Sequence, residues 1–203
     1  MKIICVGRNY SEHIDELKKE KPEAPVIFLK PDTALLKNNA PFYYPSFSEE
    51  VHYEAEIIVK ISKEGKNIAP EFSHKYFEEV GIGIDFTARD LQRKLQEKGL
   101  PWEISKSFNG SAAISHFMHK STFTDIQNIH FSLYQNQLLK QSGNTSNMIF
   151  SFNEIISYIS KFILLKPGDI IFSGTPSGVG PVKIGDVLTC FIEQQEMLRC
   201  EIK

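Results

Sequence analysis

The segment EAEIIVKI at residues 54–61 constrains the fold of this chain most, because it places two carboxylates inside an apolar, β-branched strand pattern. Side chains two residues apart on a strand share a face, so Glu54 and Glu56 are predicted to point the same way. An exposed polar face would explain this arrangement. Two like charges on one face repel each other, however, and a bound cation would remove that cost. The segment alone leaves both interpretations open.

Further strands are indicated on both sides of this segment. Val26–Lys30 is a short apolar run closed by Pro31, which is typical of a strand. Residues 81–86, GIGIDF, form another such run. From Ile170 onward the pattern is strand, glycine loop, strand, turn and strand. Strands that do not alternate regularly with helices predict an α+β chain dominated by sheet.

Two helices are indicated by the spacing of the capping box, in which a Ser or Thr is followed three residues later by an acidic residue. Thr87 and Asp90 precede the first helix, which Gly99 can terminate. Ser151 and Glu154 precede the second, IISYISKFIL, with the Pro-Gly pair at 167–168 ending it.

Length and charge narrow the functional class. The chain has 203 residues, a common size for one β-rich domain, so we predict a single domain over residues 1–203. Its formal net charge is −2, whereas a nucleic-acid-binding protein normally carries an excess of Lys and Arg. We therefore expect neither a nucleic acid nor a membrane as partner.

The N-terminus and the cysteines predict a cytoplasmic protein. The apolar run at residues 3–6 is shorter than a signal peptide or a membrane span requires. Cys5, Cys190 and Cys200 form no C-x-x-C pair, and an odd count indicates reduced thiols. Cys190 and Cys200 could face each other across a hairpin, although packing in the core is the simpler interpretation.

Asp85 offers a third carboxylate at the end of the apolar run GIGID, just before a predicted helix start. A set of oxygen donors without His or Cys suits Mg²⁺ or Mn²⁺ better than Zn²⁺. Spacing thus makes Glu54, Glu56 and Asp85 a candidate metal site.

His13 and Glu16 are three residues apart in a short predicted helix, NYSEHIDEL. At this spacing the carboxylate can orient the imidazole and raise its basicity, so that the pair could activate a water molecule. An exposed polar pair is the alternative.

Cationic residues near Asp85 could bind an anionic substrate. Arg89 and Gln92 are three residues apart on the predicted helix, and an arginine can hold a carboxylate through two parallel hydrogen bonds. Lys106 lies in the segment WEISKSF and is by itself one lysine among many.

The segment SGTPSGVGP at residues 173–181 is a glycine-rich loop between predicted strands. It is neither a Walker loop nor a Rossmann fingerprint. Backbone amides and the Thr175 hydroxyl could approach an anion here, although an ordinary tight connection is equally consistent. His116 and His119 are spaced H-x-x-H without a third ligand nearby, which favours surface histidines.

Together these segments resemble the fumarylacetoacetate hydrolase family, in particular its short acylpyruvate hydrolase branch. The motifs run in the family's order along nearly the whole chain. The chain departs from the family pattern after Phe108, where it has NGSAAISHF. The resemblance therefore does not define one wall of the expected substrate pocket or the size of substrate that it accepts. The matching stretches are GRNY with H-x-x-E (7–16), FLKP (28–31), EAE (54–56), DFTARDLQ (85–92), GLPWEISKSF (99–108) and SGTPSGVGP (173–181).

The resemblance implies a mixed β-roll with short flanking helices, a homodimer, and a Mg²⁺ or Mn²⁺ ion held by Glu54, Glu56 and Asp85. It also implies that His13 and Glu16 form a water-activating dyad. Lys106 would stabilise charge during catalysis. The expected substrate contacts are Arg89, Gln92, Thr175 and Lys30.

The activity expected from the resemblance is hydrolysis of an acylpyruvate. His13, oriented by Glu16, would deprotonate a water that attacks the distal carbonyl. Cleavage of the carbon–carbon bond would release a carboxylic acid and the enolate of pyruvate, stabilised by the metal and Lys106. Alternatives are decarboxylation or keto–enol tautomerisation of oxaloacetate, and, outside enzymes, a protein that only binds 2-keto acids.

Overall fold

The computed structural model describes residues 1–12 and 20–203, and within them it shows a sheet-dominated α+β fold. The helices are α1 (Arg89–Glu97), α2 (Glu103–Lys106) and α3 (Phe152–Phe162). The strands are β1 (Ile3–Gly7), β2 (Val26–Lys30), β3 (Leu35–Leu36), β4 (Val51–Tyr53), β5 (Ala55–Ile61), β6 (Phe77–Asp85), β7 (Thr87–Ala88), β8 (Ala112–Ile114), β9 (Met118–His119), β10 (His130–Gln135), β11 (Leu138–Asn144), β12 (Ile170–Phe172), β13 (Gly180–Pro181), β14 (Val187–Ile192) and β15 (Gln195–Glu201).

The largest sheet is mixed. Its strand order is β2-β1-β12-β5-β6-β8-β3, with β9 paired to β6. The pairs β1–β12 and β3–β8 are parallel, whereas β5 and β6 at the centre are antiparallel. A second sheet has the order β11-β10-β14-β15, and a third has the order β13-β4-β7. The mixed sheet with few helices confirms the predicted fold class.

Burial on both faces explains why the sequences of the central strands are almost continuously apolar. Side chains from both faces of β5 and β6 are buried, since other elements cover both faces of these strands. Helix α3 packs its buried residues Phe152, Ile155 and Ile159 into the main core cluster. Carboxylates on these strands are consequently buried inside the protein and do not lie on a solvent-exposed face of the sheet.

Several predicted elements are confirmed. Val26–Lys30 is strand β2, and Ser151 and Glu154 form a capping box at the start of α3. The strand predicted at 54–61 begins one residue later, with Glu54 between β4 and β5, and the run at 81–86 belongs to the longer strand β6. Helix α3 ends at Phe162, before the Pro-Gly pair at 167–168, because the chain becomes extended at Ile163.

The capping box predicted at Thr87 and Asp90 is wrong. Helix α1 is preceded by Ala88, without a side-chain cap. The Thr87 hydroxyl accepts a hydrogen bond from Lys106, and Asp90 accepts one from Ser48 Oγ at 2.6 Å. Both side chains are therefore engaged by distant segments. Gly99, just beyond the helix, has a φ of +63°, as its predicted terminating role requires.

The cysteines pack in the core, as the simpler interpretation predicted. All three are free and buried. On the β14–β15 hairpin, Cys190 is opposite Leu198 and Cys200 is opposite Leu188, so these two cysteines are not a cross-strand pair.

Candidate metal and substrate site

Three buried carboxylates form the centre of the site. Glu54, Glu56 and Asp85 are 5%, 2% and 0% exposed, and each offers an oxygen within 4.8 Å of the oxygens of the other two. The exposed polar face that the sequence left open is thereby excluded. Carboxylate oxygens in this number and proximity suit a hard divalent cation.

Strand pairing brings these carboxylates together. Ala55 pairs with Ile84 and Glu56 with Gly83 across the antiparallel β5–β6 ladder. The ladder is extended by a hydrogen bond of 2.8 Å from the Asp85 N–H to the Glu54 carbonyl. The last residue of β6 therefore lies beside the residue that precedes β5.

Lys106 is a cation that contacts two of the three carboxylates. Its Nζ contacts Glu54 Oε2 at 2.8 Å, Asp85 Oδ2 at 2.8 Å and Thr87 Oγ1 at 2.6 Å. Burial disfavours the charge on this lysine, but Asp85 and Glu54 outweigh burial and raise the pKa of Lys106. An ammonium has three N–H donors, and here all three are engaged. Lys106 thus supplies a fixed positive charge.

Lys30 lies behind Asp85. Its Nζ is 2.7 Å from Asp85 Oδ1 and also donates to Ser111 Oγ at 3.0 Å and to the carbonyl of Lys106. The side chain is fully buried and does not line the cavity described below. These contacts fit a residue that holds Asp85, and its predicted contact with substrate stays a prediction.

Arg89, the first residue of α1, is a third cation beside the carboxylates and contacts Glu54. Its Nη2 is 2.5 Å from Glu54 Oε1, and its Nη1 donates to Gln92 Oε1 at 2.6 Å. Its Nε is buried and has no hydrogen-bond partner among the described residues. The hydrogen bond between Arg89 and Gln92 holds these two side chains together in the first turn of α1.

Glu56 is the carboxylate with the least neutralised environment. Burial, followed by the charges of Asp85 and Glu54, raises the pKa of Glu56 well above its usual range. Its Oε2 accepts a hydrogen bond of 2.7 Å from the N–H of Gly174. Gly174 has a φ of +103°, and a Cβ there would come within 2.7 Å of Asn9, so only glycine fits. A cation beside Glu56 would favour its charged form, which fits the donor set to a metal.

Gln141 is a site residue that the sequence analysis missed. It lies on β11, is 1% exposed, and accepts a hydrogen bond of 2.9 Å at Oε1 from the N–H of Ala55. Its Nε2 donates to Thr175 Oγ1 at 2.8 Å and to the Pro176 carbonyl at 3.0 Å. Gln141 thus joins the metal-site strand to the glycine-rich loop. The local sequence LLKQSGN carries no signal for this role.

A cavity of about 460 Å³ opens above the carboxylates. Seven of the predicted site residues line it, and so do several residues to which the sequence analysis gave no role. The predicted group comprises Glu54, Glu56, Asp85, Arg89, Gln92, Lys106 and Thr175, and the additional group includes Arg8, Phe28, His52, Arg93 and Trp102.

Two predicted site residues, His13 and Glu16, lie outside the described residues, so the dyad stays a prediction. His116 and His119 are both exposed, which confirms that they are surface histidines. Within residues 1–12 and 20–203, no helix is long and apolar enough to cross a membrane.

The fold and the site together define a carboxylate-lined pocket on a mixed sheet, with a donor set that could hold a metal ion, and comparison with known proteins identifies its family. The family model of the fumarylacetoacetate (FAA) hydrolase C-terminal domain matches residues 2–203. The chain belongs to this family of enzymes.

The chain is 42% identical over 184 residues to the bovine mitochondrial oxaloacetate tautomerase FAHD1, covering 91% of this chain and 83% of the relative. It is 40% identical over 192 residues to the mitochondrial oxaloacetate decarboxylase of Dictyostelium discoideum, covering 94% and 88%. Among solved structures, the fumarylpyruvate hydrolase of Pseudomonas aeruginosa in complex with Mn²⁺ and pyruvate superimposes with a TM-score of 0.94 at 34% identity, covering 100% of this chain and 89% of that chain. The names of the two curated relatives agree better with the oxaloacetate alternative than with the acylpyruvate hydrolysis expected first from the sequence, whereas the name of the solved structure agrees with hydrolysis.

Proposed function

We propose that this chain is a divalent-metal-dependent enzyme that interconverts the keto and enol forms of oxaloacetate or a closely related short 2-keto acid. The observation that carries this proposal is the buried cluster of Glu54, Glu56 and Asp85, bordered by buried cations at the base of a cavity. Oxaloacetate is the substrate named in both curated relatives, which supports its choice here.

The charges of the site favour a dianionic ligand. The three formal negative charges of the carboxylates are balanced by the positive charges of Lys30, Lys106 and Arg89, which contact Asp85, Glu54 or both. A divalent cation in this neutral cluster would leave two positive charges. An anion carrying two negative charges restores the balance, and oxaloacetate near neutral pH is such an anion.

Glu54, Glu56 and Asp85 would hold the metal, and Mg²⁺ and Mn²⁺ both suit this oxygen donor set. When bound, the metal would act as a Lewis acid toward the 2-oxo group and its carboxylate.

Tautomerisation moves one proton from C3 of the keto acid and places one on the 2-oxo oxygen, so negative charge develops on that oxygen between the two transfers. Lys106 offers a buried, fixed positive charge at the base of the cavity, where such charge is stabilised strongly. Arg89 with Gln92, and the Thr175 hydroxyl, would orient the carboxylate. We assign the proton relay to His13, oriented by Glu16, on the basis of the sequence motif.

Acylpyruvate hydrolysis is the second candidate, and the likeness to a fumarylpyruvate hydrolase favours it. It would use the same enolate stabilisation, with His13 activating a water. Decarboxylation of oxaloacetate needs no nucleophile, so Lys106 together with a bound metal would suffice to stabilise the enolate left by loss of CO₂, which then takes a proton from solvent. The homodimer and the cytoplasmic location remain predictions from the sequence.

The test is an assay of the purified protein with oxaloacetate and a small set of acylpyruvates, with Mg²⁺, with Mn²⁺ and after chelation. Tautomerisation is followed by enol absorbance, and decarboxylation and hydrolysis by release of pyruvate. We expect metal-dependent tautomerisation to be the fastest reaction. Full activity in protein shown by elemental analysis to be metal-free would refute the proposal.

His13→Ala and Glu16→Gln separate the reactions. General acid–base catalysis typically contributes roughly a hundredfold to ten-thousandfold, so tautomerisation and hydrolysis should fall by that range. Decarboxylation should persist with metal occupancy unchanged. An equally steep fall in all three reactions would show that the dyad serves enolate formation in general.

A further inference from the structure

Arg8 stands out among the residues of the cavity wall because no step of the proposed chemistry uses it. It follows strand β1, is partly buried, and lines the same cavity as the carboxylates. Its guanidinium carbon is 5.7 Å from the centroid of the Trp102 ring. This stacking holds the guanidinium against the wall.

The backbone at Arg8 is strained. Its φ is +59°, a left-handed conformation that residues other than Gly, Asn and Asp adopt at a cost. Both neighbours are anchored: Gly7 pairs with Val26 in the sheet, and the side chain of Asn9 is hydrogen-bonded to Phe150 and Ser173. Such strain persists where the surroundings enforce it, and it concentrates at ligand sites.

Arg8 also differs from the other arginines of the cavity in its partners. Arg89 pairs with Glu54, and Arg93 pairs with Glu50. In the described part of the chain, the guanidinium of Arg8 has no carboxylate within ion-pair distance. Among residues 1–12 and 20–203, no carboxylate neutralises its charge, which a ligand in the cavity could therefore use.

An aromatic wall connects Arg8 to the catalytic end of the cavity. The Trp102 ring lies 6.2 Å from the Phe28 ring, and Lys106 Nζ lies 5.2 Å from the Phe28 centroid. A cation therefore stands at each end, with flat apolar surface between them. A ligand with an anionic group at both ends and a planar carbon segment in the middle matches this pattern.

We infer that Arg8 binds the distal carboxylate of a dicarboxylic 2-keto acid and so selects such substrates over keto acids with an uncharged tail. The inference rests on the proposed function, since the inner end of the cavity must hold the 2-keto carboxylate. It adds a specificity residue that acts on the end of the substrate remote from the reacting atoms.

The test compares two five-carbon ligands that differ in their distal group, 2-oxoglutarate and 2-oxopentanoate, by calorimetric titration of the Mg²⁺-loaded protein. Wild type should bind the dicarboxylate more tightly. Arg8→Asn should weaken 2-oxoglutarate binding by roughly tenfold to a hundredfold and leave 2-oxopentanoate within about threefold. Because Asn tolerates the left-handed backbone, the melting temperature should stay equal or rise. A merely structural role would lower it.

Arg93→Gln is the matched control, because it removes the same charge from an arginine of this cavity that Glu50 already neutralises. We expect it to change 2-oxoglutarate binding by less than about threefold. Arg8→Lys should recover part of the affinity, since it keeps the charge but loses the planar fork.

An equal loss of both ligands in Arg8→Asn, or a loss in Arg93→Gln as large as that in Arg8→Asn, would overturn the inference while leaving the proposed function intact. If neither ligand bound wild type in the presence of Mg²⁺, the inference would be rejected, while the oxaloacetate assay would still decide the proposed function.

Discussion

Gln141 donates a hydrogen bond from Nε2 to Thr175 Oγ1 at 2.8 Å, while its Oε1 accepts one from the Ala55 N–H at 2.9 Å. The Ala55 N–H can only donate, so it fixes which end of the amide faces which partner. Thr175 Oγ1 must then accept from Gln141, and its own proton is left to donate elsewhere. Since Thr175 lines the cavity, this geometry prepares its hydroxyl as a donor to a ligand.

Gln141→Met should therefore reduce both stability and ligand affinity. It leaves the buried Ala55 N–H without its partner, which should lower the free energy of unfolding by about 1–3 kcal/mol. Chemical denaturation would measure this change. Oxalate affinity of the Mg²⁺-loaded protein should fall roughly tenfold. In a Thr175→Val background the same change should have little further effect on oxalate binding, because the hydroxyl it orients is gone. Gln194→Met, on an exposed turn, is the control. If the effects of Gln141→Met and Thr175→Val on oxalate affinity were strictly additive, Gln141 would not act through the Thr175 hydroxyl.

Asp85→Asn and Glu56→Gln should both weaken metal binding, but only the first should destabilise the metal-free protein. Asp85 contacts two buried lysines, whereas among the described residues Glu56 accepts one hydrogen bond, from the neutral Gly174 N–H, and a glutamine can still accept it. Removing one partner of a buried ion pair costs about 3–5 kcal/mol. Calorimetric titration with Mn²⁺ and denaturant unfolding of the chelated protein measure the two effects. Similar stability losses in both variants would show that Asp85 is not the anchor of the lysines. The exposed Asp32→Asn serves as control.

Lys106→Met should raise the metal affinity, whereas Asp85→Asn and Glu56→Gln should lower it. The ammonium contacts Glu54 and Asp85, so its charge opposes that of a metal held by the same carboxylates. Removing it should raise Mn²⁺ affinity by roughly tenfold or more, while oxaloacetate turnover falls. The metal-free protein should be less stable, because two buried carboxylates lose their shared partner. Lys166→Met, which is exposed, should alter none of these quantities. A weaker affinity for Mn²⁺ in Lys106→Met would mean that the lysine positions the ligands and does not compete with the metal.

The cysteines should be unreactive in the folded protein. Burial raises the pKa of Cys190 well above its ordinary range and that of Cys200 to about 11. Thiolate is the reactive form, so at pH 8 about one Cys200 in a thousand would be ionised, and the fraction grows as the pH rises toward the pKa. A thiol reagent should label no cysteine within minutes at pH 8 and all three in denaturant. Rapid labelling without denaturant, or fewer than three thiols with it, would be the contrary result.

Much of the site was predictable because its residues lie in local patterns. The strand character of EAEIIVKI follows from β-branched residues, and the same segment carries two of the three carboxylates. Asp85 was recognisable as the end of an apolar strand. The order of motifs then indicated the family, which the family model confirms.

Contacts between distant segments were not predictable from such patterns. Thr87 and Asp90 have the spacing of a capping box, yet Lys106 and Ser48 engage them instead. For Thr87, the hydrogen bond from the buried ammonium of Lys106 outweighs the roughly 1 kcal/mol that a helix cap contributes. Asp90 is the second residue of the helix and accepts from the Ser48 hydroxyl. Local spacing carries no information about such competitors.

The sequence by itself determined the type of chemistry, because oxygen donors, cations and strand pattern are properties of residue identity and near neighbours. Only the tertiary structure decided how charges are paired and which residues face the cavity. Lys30 contacts Asp85 without lining the cavity, Gln141 binds the Ala55 N–H 86 positions away, and Arg8 is one of the residues that line the cavity. The physical reason is that strand pairing and burial set these distances, and both depend on the whole chain packing at once.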